Sequence, residues 1–205
     1  MIFASALALL LAVTTNLSSP ALDAFASTWA AISAYRATLV IHEIDGTTVQ
    51  DRTYAYTFAK PSSATIAITR GPGRGGHVDW SGGDGVTGSP PGFLSIVKVH
   101  LSIHDRRVTT LRGDTIPMAS FGWLLDHLRT TPGTIVEKQV SSPERGVRTE
   151  LALTVADPKA DGGITREVVR FSPQTKLPTR FERYIDTTLV KVIRYTRVVV
   201  TANVR

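Results

Sequence analysis

The chain opens on an unbroken run of apolar and small residues, 2–13 (IFASALALLLAV), followed by segments whose hydrophobic positions recur with a regular period. Over 23–35 (DAFASTWAAISAY), Phe25, Trp29, Ile32 and Tyr35 recur at helical spacing, with Asp23 placed for a first turn, so the pattern predicts a helix. The period then drops to two. Ala37, Leu39 and Ile41 alternate with Arg36, Thr38 and His42, as the two faces of a strand require. Asp45-Gly46 marks a tight turn, and a second strand follows with Tyr54, Tyr56 and Phe58 on one face. Lys60-Pro61 ends that strand. Residues 65–69 (TIAIT) predict a third, with Ile66 and Ile68 on one side, and 77–80 (HVDW) a short fourth, with Val78 and Trp80 together.

Further along, 93–104 (FLSIVKVHLSIH) favours a strand, because Val97, Val99, Leu101 and Ile103 share a parity, although Phe93, Leu94, Val97 and Leu101 also fit one face of a helix. Residues 120–128 (SFGWLLDHL) return to helical spacing through Phe121, Leu124, Leu125 and Leu128, and Pro132-Gly133 closes the element. Strands are expected again at 150–155, 165–171, 179–185 and 189–200, the last two joined as a hairpin through 186–188. Short strands joined by tight turns argue for an antiparallel meander, and the fold class expected is α+β.

The opening run is too short for a membrane span, which needs roughly 20 apolar residues, and fits the core of a signal peptide; because no Lys or Arg precedes it, an uncleaved anchor is the alternative. Ser19-Pro20-Ala21 offers small side chains for cleavage. The expected organisation is a signal peptide over 1–21 and a single domain over 22–205, in an exported, periplasmic or extracellular protein with at most peripheral membrane contact. The 205 residues include no cysteine, which excludes a disulfide framework, a thiolate metal site, a cysteine nucleophile and an acyl anchor on an N-terminal cysteine. The net charge is +6, yet the basic residues of the last strands (Arg180, Arg183, Lys191, Arg194, Arg197) stand singly, as on a solvated strand face. No nucleic-acid partner is expected from such a pattern.

Candidate chemistry is sparse. Gly71, Gly73 and Gly76 satisfy G-x-G-x-x-G, but a phosphate cradle needs a helix after it, and HVDW is a strand. His100 and His104 have helical metal-ligand spacing, but on a strand four residues span about 13 Å, too far for one ion. His42, His77 and His127 each stand near a carboxylate without a motif, and no G-x-S-x-G elbow appears. No catalytic residue, metal or cofactor is expected. The aromatic positions are more informative. Tyr54, Tyr56, Phe58, Ile66, Ile68 and Trp80 would line one side of a sheet, and Trp29, Phe121 and Trp123 on the helices would cover it. They form either the core or, where sheet and helices fail to close, an apolar cavity.

The order of elements resembles the LolA-like superfamily of periplasmic lipoprotein carriers and related families. The residues that carry it are a helix running into a long strand (WAAISAYRATLVIHE), a strand ending in Lys-Pro (TYAYTFAKP), a glycine turn (WSGGDGV) and a closing hairpin (KLPTRFERYIDTTLVKVIRYTRVVV). The resemblance implies an incomplete, strongly curved antiparallel barrel with helices over its concave face. It also implies an apolar hollow for a lipid or the acyl group of a lipid-modified protein, but it assigns no lipid-contacting residue; the nine residues named above are candidates for the lining from their own pattern. The stretch 83–112 fits no carrier pattern. The function expected is non-catalytic shelter of a lipid or acyl group; the alternative is an envelope interaction module with a closed core and a basic surface.

Overall fold

A computed structural model describes residues 19–92, 97–142 and 146–203. The apolar leader, residues 1–18, and the first part of the strand expected at 93–104 lie outside the described residues. Helix α1 (Pro20–Ala30) is followed by β1 (Ile32–Asp45), β2 (Thr48–Ala59), β3 (Ser63–Arg70), β4 (His77–Trp80), β5 (Gly85–Ser89) and β6 (Val99–Ser102). A long irregular strap, 103–115, leads through a 3₁₀ turn (Ile116–Ala119) into α2 (Phe121–Thr130). Then come β7 (Gly133–Ser142), β8 (Gly146–Val155), β9 (Arg166–Phe171), β10 (Pro178–Ile185) and β11 (Thr188–Ala202).

All eleven strands form one antiparallel sheet, in the order β6-β5-β4-β3-β2-β1-β11-β10-β9-β8-β7. Each half is a meander of sequential hairpins, and the first and last strands meet at the centre. The sheet is curved and does not close into a barrel. A register shift on β1 between Arg36 and Thr38, opposite Arg197 at φ +52°, bends the central pair. The β1–β2 hairpin turns at Gly46, whose φ of +57° is the left-handed conformation that the Asp45-Gly46 signal anticipates.

Helix α1 starts earlier and stops earlier than its periodicity suggests. The Ser19 hydroxyl accepts the N–H of Leu22 at 3.1 Å and Pro20 sits in the first turn, so capping fixes the start. Ile32 and Tyr35 belong to β1 instead, where Tyr35, Ala37, Leu39 and Ile41 fill one buried face. The expected cleavage point after residue 21 falls within this first turn of α1. The Lys60 ammonium donates to Trp29 O at 2.5 Å and lies over the Trp29 ring, which fixes the other end of the helix. Helix α2 follows its pattern: Ser120 caps it through the Trp123 N–H, and Phe121, Leu124, Leu125 and Leu128 are buried. Only Val99–Ser102 of the expected 93–104 strand is sheet, and Val97 is exposed.

The glycine-rich segment 71–76 is an exposed hairpin connection between β3 and β4, with Gly71, Gly73 and Gly75 at positive φ. β5 and β7 were not evident from pattern. β5 carries Gly85 and Gly88, which read as turn, and β7 is an edge strand with a mostly polar alternation (Thr134, Glu137, Lys138, Gln139). Among the described residues no helix is long and apolar enough to cross a membrane.

Candidate functional site

Cross-strand register divides the concave face into zones. At one end, Tyr35, Phe58 and Ala64 lie side by side on β1, β2 and β3, with α1 and α2 against them. Here the aromatic side chains interlock. Phe121 stacks on Tyr35 at 4.4 Å between centroids and meets Phe25, Trp29 and Tyr195 at 6.2, 6.3 and 5.1 Å. Trp29 also contacts Phe58, and Tyr35 contacts Tyr56. The Tyr35 hydroxyl accepts the N–H of Phe121 at 3.2 Å, tying sheet to helix. Burial pushes the Tyr35, Tyr56 and Tyr195 phenols well above their ordinary range, so they stay neutral. Of the nine residues expected to line a hollow, Trp29, Tyr56, Phe58 and Phe121 therefore fill this closed core.

Tyr54, Ile66 and Ile68 lie elsewhere. With Ile41, Val78 and Ile116 they surround a cavity of about 50 Å³ between the sheet and the strap. Trp80 does not line it; on β4 it pairs with Ala64 and Val86, and its indole N–H donates to Gly83 O at 2.9 Å. Trp123 stacks on the His127 ring at 4.5 Å. The nine residues thus divide among core, cavity wall and periphery; they do not share one hollow. A wider apolar depression of about 680 Å³ lies between the end of α1 and β11, with Ala31, Val198 and Val200 on its walls, but it is an open groove.

Beyond the cavity the concave face becomes charged. Glu167, Arg183, Lys191 and Glu43 are successive partners across β9, β10, β11 and β1, and all are buried. This corrects the expectation that Arg183 and Lys191 belong to a solvated face. They share the parity of Phe181 and Ile193, and carboxylates meet them there. Lys191 Nζ donates to Glu43 Oε1 at 2.7 Å and to Asp114 Oδ2 from the strap. Glu43 Oε2 accepts the N–H of Leu111 at 3.0 Å. Arg183 Nε donates to Glu167 Oε1 at 2.8 Å, and its Nη2 reaches Asp161 at 2.5 Å. Burial works against the Arg183 charge, but Glu167 and Asp161 outweigh it and raise its pKa further.

His127 on α2 approaches both Glu167 oxygens at 2.8–2.9 Å through Nε2, while Nδ1 lies 3.2 Å from the Thr131 hydroxyl. His127, Asp161 and Glu167 offer three metal-type ligand atoms within 4.8 Å of one another. The Arg183 guanidinium bonds both carboxylates, supplying the positive charge that an ion would bring. Trp123 and Phe181 flank the His127 ring. The geometry is that of a tether from α2 to the sheet. Sequence reasoning missed this belt. Its signal was present, however, because Glu43, Arg183 and Lys191 each occupy the apolar parity of a strand.

The strap makes the cavity what it is. Its 103–115 backbone is neither helix nor strand, and loops of that length without secondary structure are commonly functional. Ile103 and Ile116 are buried beneath it, Ile103 N bonds Asp84 O at 2.8 Å, and Arg112 Nη1 bonds Ile44 O at 2.9 Å. Apart from these, the Glu43–Lys191–Asp114 triad is its main polar attachment to the sheet.

No protein-family model matches the chain, and no curated protein matches it. Solved structures do match. An uncharacterized conserved protein of Thermus thermophilus superposes with a TM-score of 0.54 at 10% identity, covering 90% of this chain and 87% of that one. A LolA superfamily protein of Nitrosomonas europaea gives 0.40 at 11% identity over 88% and 93%. The Mycobacterium tuberculosis lipoprotein LppX gives 0.45 at 11% identity over 88% and 96%. With one open, curved antiparallel sheet and two helices packed against it, the chain has the α+β fold class that the resemblance to LolA-like proteins implies.

Proposed function

We propose that the protein is an exported, non-catalytic binding protein that shelters the acyl chain of a lipid or lipid-modified partner between its sheet and the 103–115 strap. The observation that supports this most is the apolar cavity walled by Ile41, Tyr54, Ile66, Ile68 and Ile116 and roofed by an irregular segment. At about 50 Å³ it is a closed state, since ligand pockets commonly measure some 300–1,000 Å³. Admission of an acyl chain requires the strap to rise from β1, β2 and β3. The interlocked aromatic cluster at the helices is then the rigid end wall of the site.

Native mass spectrometry of the purified protein tests this. A co-purifying mass that organic extraction removes, and that proves to be a lipid, is the expected result. Ile68→Trp, which fills the cavity, should abolish the adduct without unfolding the protein. An unliganded mass, together with no binding of a fluorescent fatty acid at micromolar concentration, overturns the proposal.

A second reading, an interaction module with a closed core and a basic surface, draws on the sealed aromatic cluster and on Arg194, Arg180 and Arg170, partners on adjacent strands. It has less support, because Glu182 pairs with Arg180 and Arg170, and Glu150 with Arg170 and Lys138. Partner capture that weakens as salt rises, with no lipid adduct, would favour it.

A further inference from the structure

The apolar cavity ends at a basic vestibule. An open depression of about 560 Å³ adjoins it, walled by Gln50, Arg52, Arg106, Thr109, Thr110 and Arg112, with Asp45 as its one carboxylate. Arg52, Thr109 and Thr110 line both spaces, so the two are continuous along one wall. Arg52 is placed there by the strand register. It lies opposite Ile41 on the concave face, one pair beyond Leu39 and Tyr54, where the pattern would otherwise put an apolar side chain. Its guanidinium is hydrogen-bonded with the Tyr54 hydroxyl, but its Nε is buried with no hydrogen-bond partner, and so is the Oε1 of Gln50 beside it. Among the described residues neither Arg52 nor Arg106 forms an ion pair. Arg112 is only loosely matched by Asp45 at 3.6 Å. Arg107, by contrast, is neutralised by Asp105 through two bonds at 2.6 and 2.9 Å.

The vestibule therefore carries three guanidinium groups against one carboxylate, at the mouth of an apolar cavity. A half-buried arginine without a carboxylate is an electrostatic cost, because a neutral partner such as the Tyr54 hydroxyl offsets only part of the desolvation of its charge. Guanidinium groups recognise carboxylate and phosphate oxygens through paired N–H donors, and the Thr109 hydroxyl adds a further donor.

We infer that the ligand is an amphiphile with an anionic headgroup, its acyl chain in the cavity beneath the strap and its head on Arg52 and Arg106. The inference rests on the acyl-binding reading above and adds selectivity for charge. The shared head chemistry is a carboxylate or a phosphate monoester; a free fatty acid supplies the first and a lysophospholipid the second.

The experiment compares three probes of one chain length on the whole protein by isothermal titration calorimetry: palmitate, palmitoyl lysophosphatidate and the uncharged monopalmitoylglycerol, all below their aggregation concentrations. The expected result is at least tenfold tighter binding of the anionic probes at low salt, with the advantage shrinking as ionic strength rises. Arg106→Gln, an exposed change that should leave the fold intact, is expected to reduce that advantage several-fold. Arg52→Gln/Arg106→Gln, checked for folding by circular dichroism, should remove it, so that on this variant the anionic probes bind no more tightly than monopalmitoylglycerol. Equal affinity for both anionic probes assigns recognition to charge alone, and a preference for lysophosphatidate assigns it to the phosphate. If monopalmitoylglycerol binds as tightly as the anions, or the variants leave the ratio unchanged, headgroup selectivity is overturned while acyl binding stands. If no probe binds, both fall together.

Discussion

Replacing Lys191 by Met tests the role of the buried charge belt most directly. The ammonium is 1% exposed and bridges Glu43, at 2.7 Å, to Asp114, so its removal leaves two carboxylates facing each other with no cation between them. At an effective dielectric constant of 20, a unit pair at 2.7 Å attracts with about 6 kcal/mol, and desolvation cancels part of that. Breaking one partner out of a buried ion pair costs roughly 3–5 kcal/mol. For a domain of this size each kcal/mol lowers Tm by about 2–4 °C, so Lys191→Met should melt roughly 6–20 °C below the parent protein. Urea unfolding read by tryptophan fluorescence measures the loss, and amide exchange at Leu111, whose N–H bonds Glu43, should quicken as the strap loosens. The control is Glu43→Gln/Asp114→Asn/Lys191→Met, which removes all three charges and should recover most of the stability. A single variant within ~1 kcal/mol of the parent would refute the reasoning. So would a triple variant no better than the single, because the loss would then be one of packing and not of charge.

Other changes separate the remaining contributions. Phe121→Ala empties the centre of the aromatic cluster and should cost about 3–5 kcal/mol in thermal or urea denaturation; a cost below 1 kcal/mol would mean that the helices are not held by this contact. Gly133→Ala drives a Cβ into Thr154 O, so the first β7–β8 pair must part, whereas Gly46→Ala meets open space and suffers only its positive φ, costing about 1–2 kcal/mol; equal losses at the two sites would contradict this contrast. Burial raises the Glu150 pKa, but hydrogen bonds from Arg170 and Lys138 outweigh it, so the folded-state value lies below the ordinary 4.5. Its stabilisation is therefore fully present above pH 4.5 and disappears as the pH falls through the lowered folded value. The stability advantage of the parent over Glu150→Gln should shrink on that side, and an advantage that grows on acidification would count against the pairing.

Much of the sheet could be read from parity. Tyr54, Tyr56 and Phe58 do share one buried face, and the Asp45-Gly46 hairpin and the cap at Ser120 stand where local chemistry puts them. What escaped has physical reasons. Phe25 and Trp29 begin a helical repeat that Ile32 and Tyr35 prolong by coincidence: these two are three residues apart yet both buried, because a register irregularity between Ile32 and Ala34 interrupts the two-residue alternation of β1. β5 forms despite two glycines because β4 and β6 supply its ladder on both sides, a tertiary contribution that propensity does not record. The candidate site was less legible still. Whether Tyr56 and Phe58 line a hollow or fill a core depends on how Trp29 and Phe121 descend on them. Nothing in the spacing of one strand determines that. The vestibule was missed for a similar reason: Arg52 reads as an ordinary polar position, and the strap that brings Arg106 and Arg112 to it comes from the stretch 83–112, which carries no periodic signal.

The meeting of β1 and β11 at the middle of the sheet bears on how the polypeptide reaches this state. Lys191 and Glu43, neighbours across that seam, are 148 residues apart, and closing so long a loop costs roughly 4 kcal/mol of chain entropy before any contact offsets it. The two half-sheets, β6 to β1 and β10 to β7, can each assemble from sequential hairpins, but each then presents an unpaired edge until the final strand arrives. β1 is 14 residues long and apolar along one side, the kind of edge that pairs with the wrong neighbour. β11 is thus the keystone of an arch: the slowest contact to form, and the one whose loss to a premature stop before Thr188 would leave a single chain with two half-sheets, each with a sticky open edge.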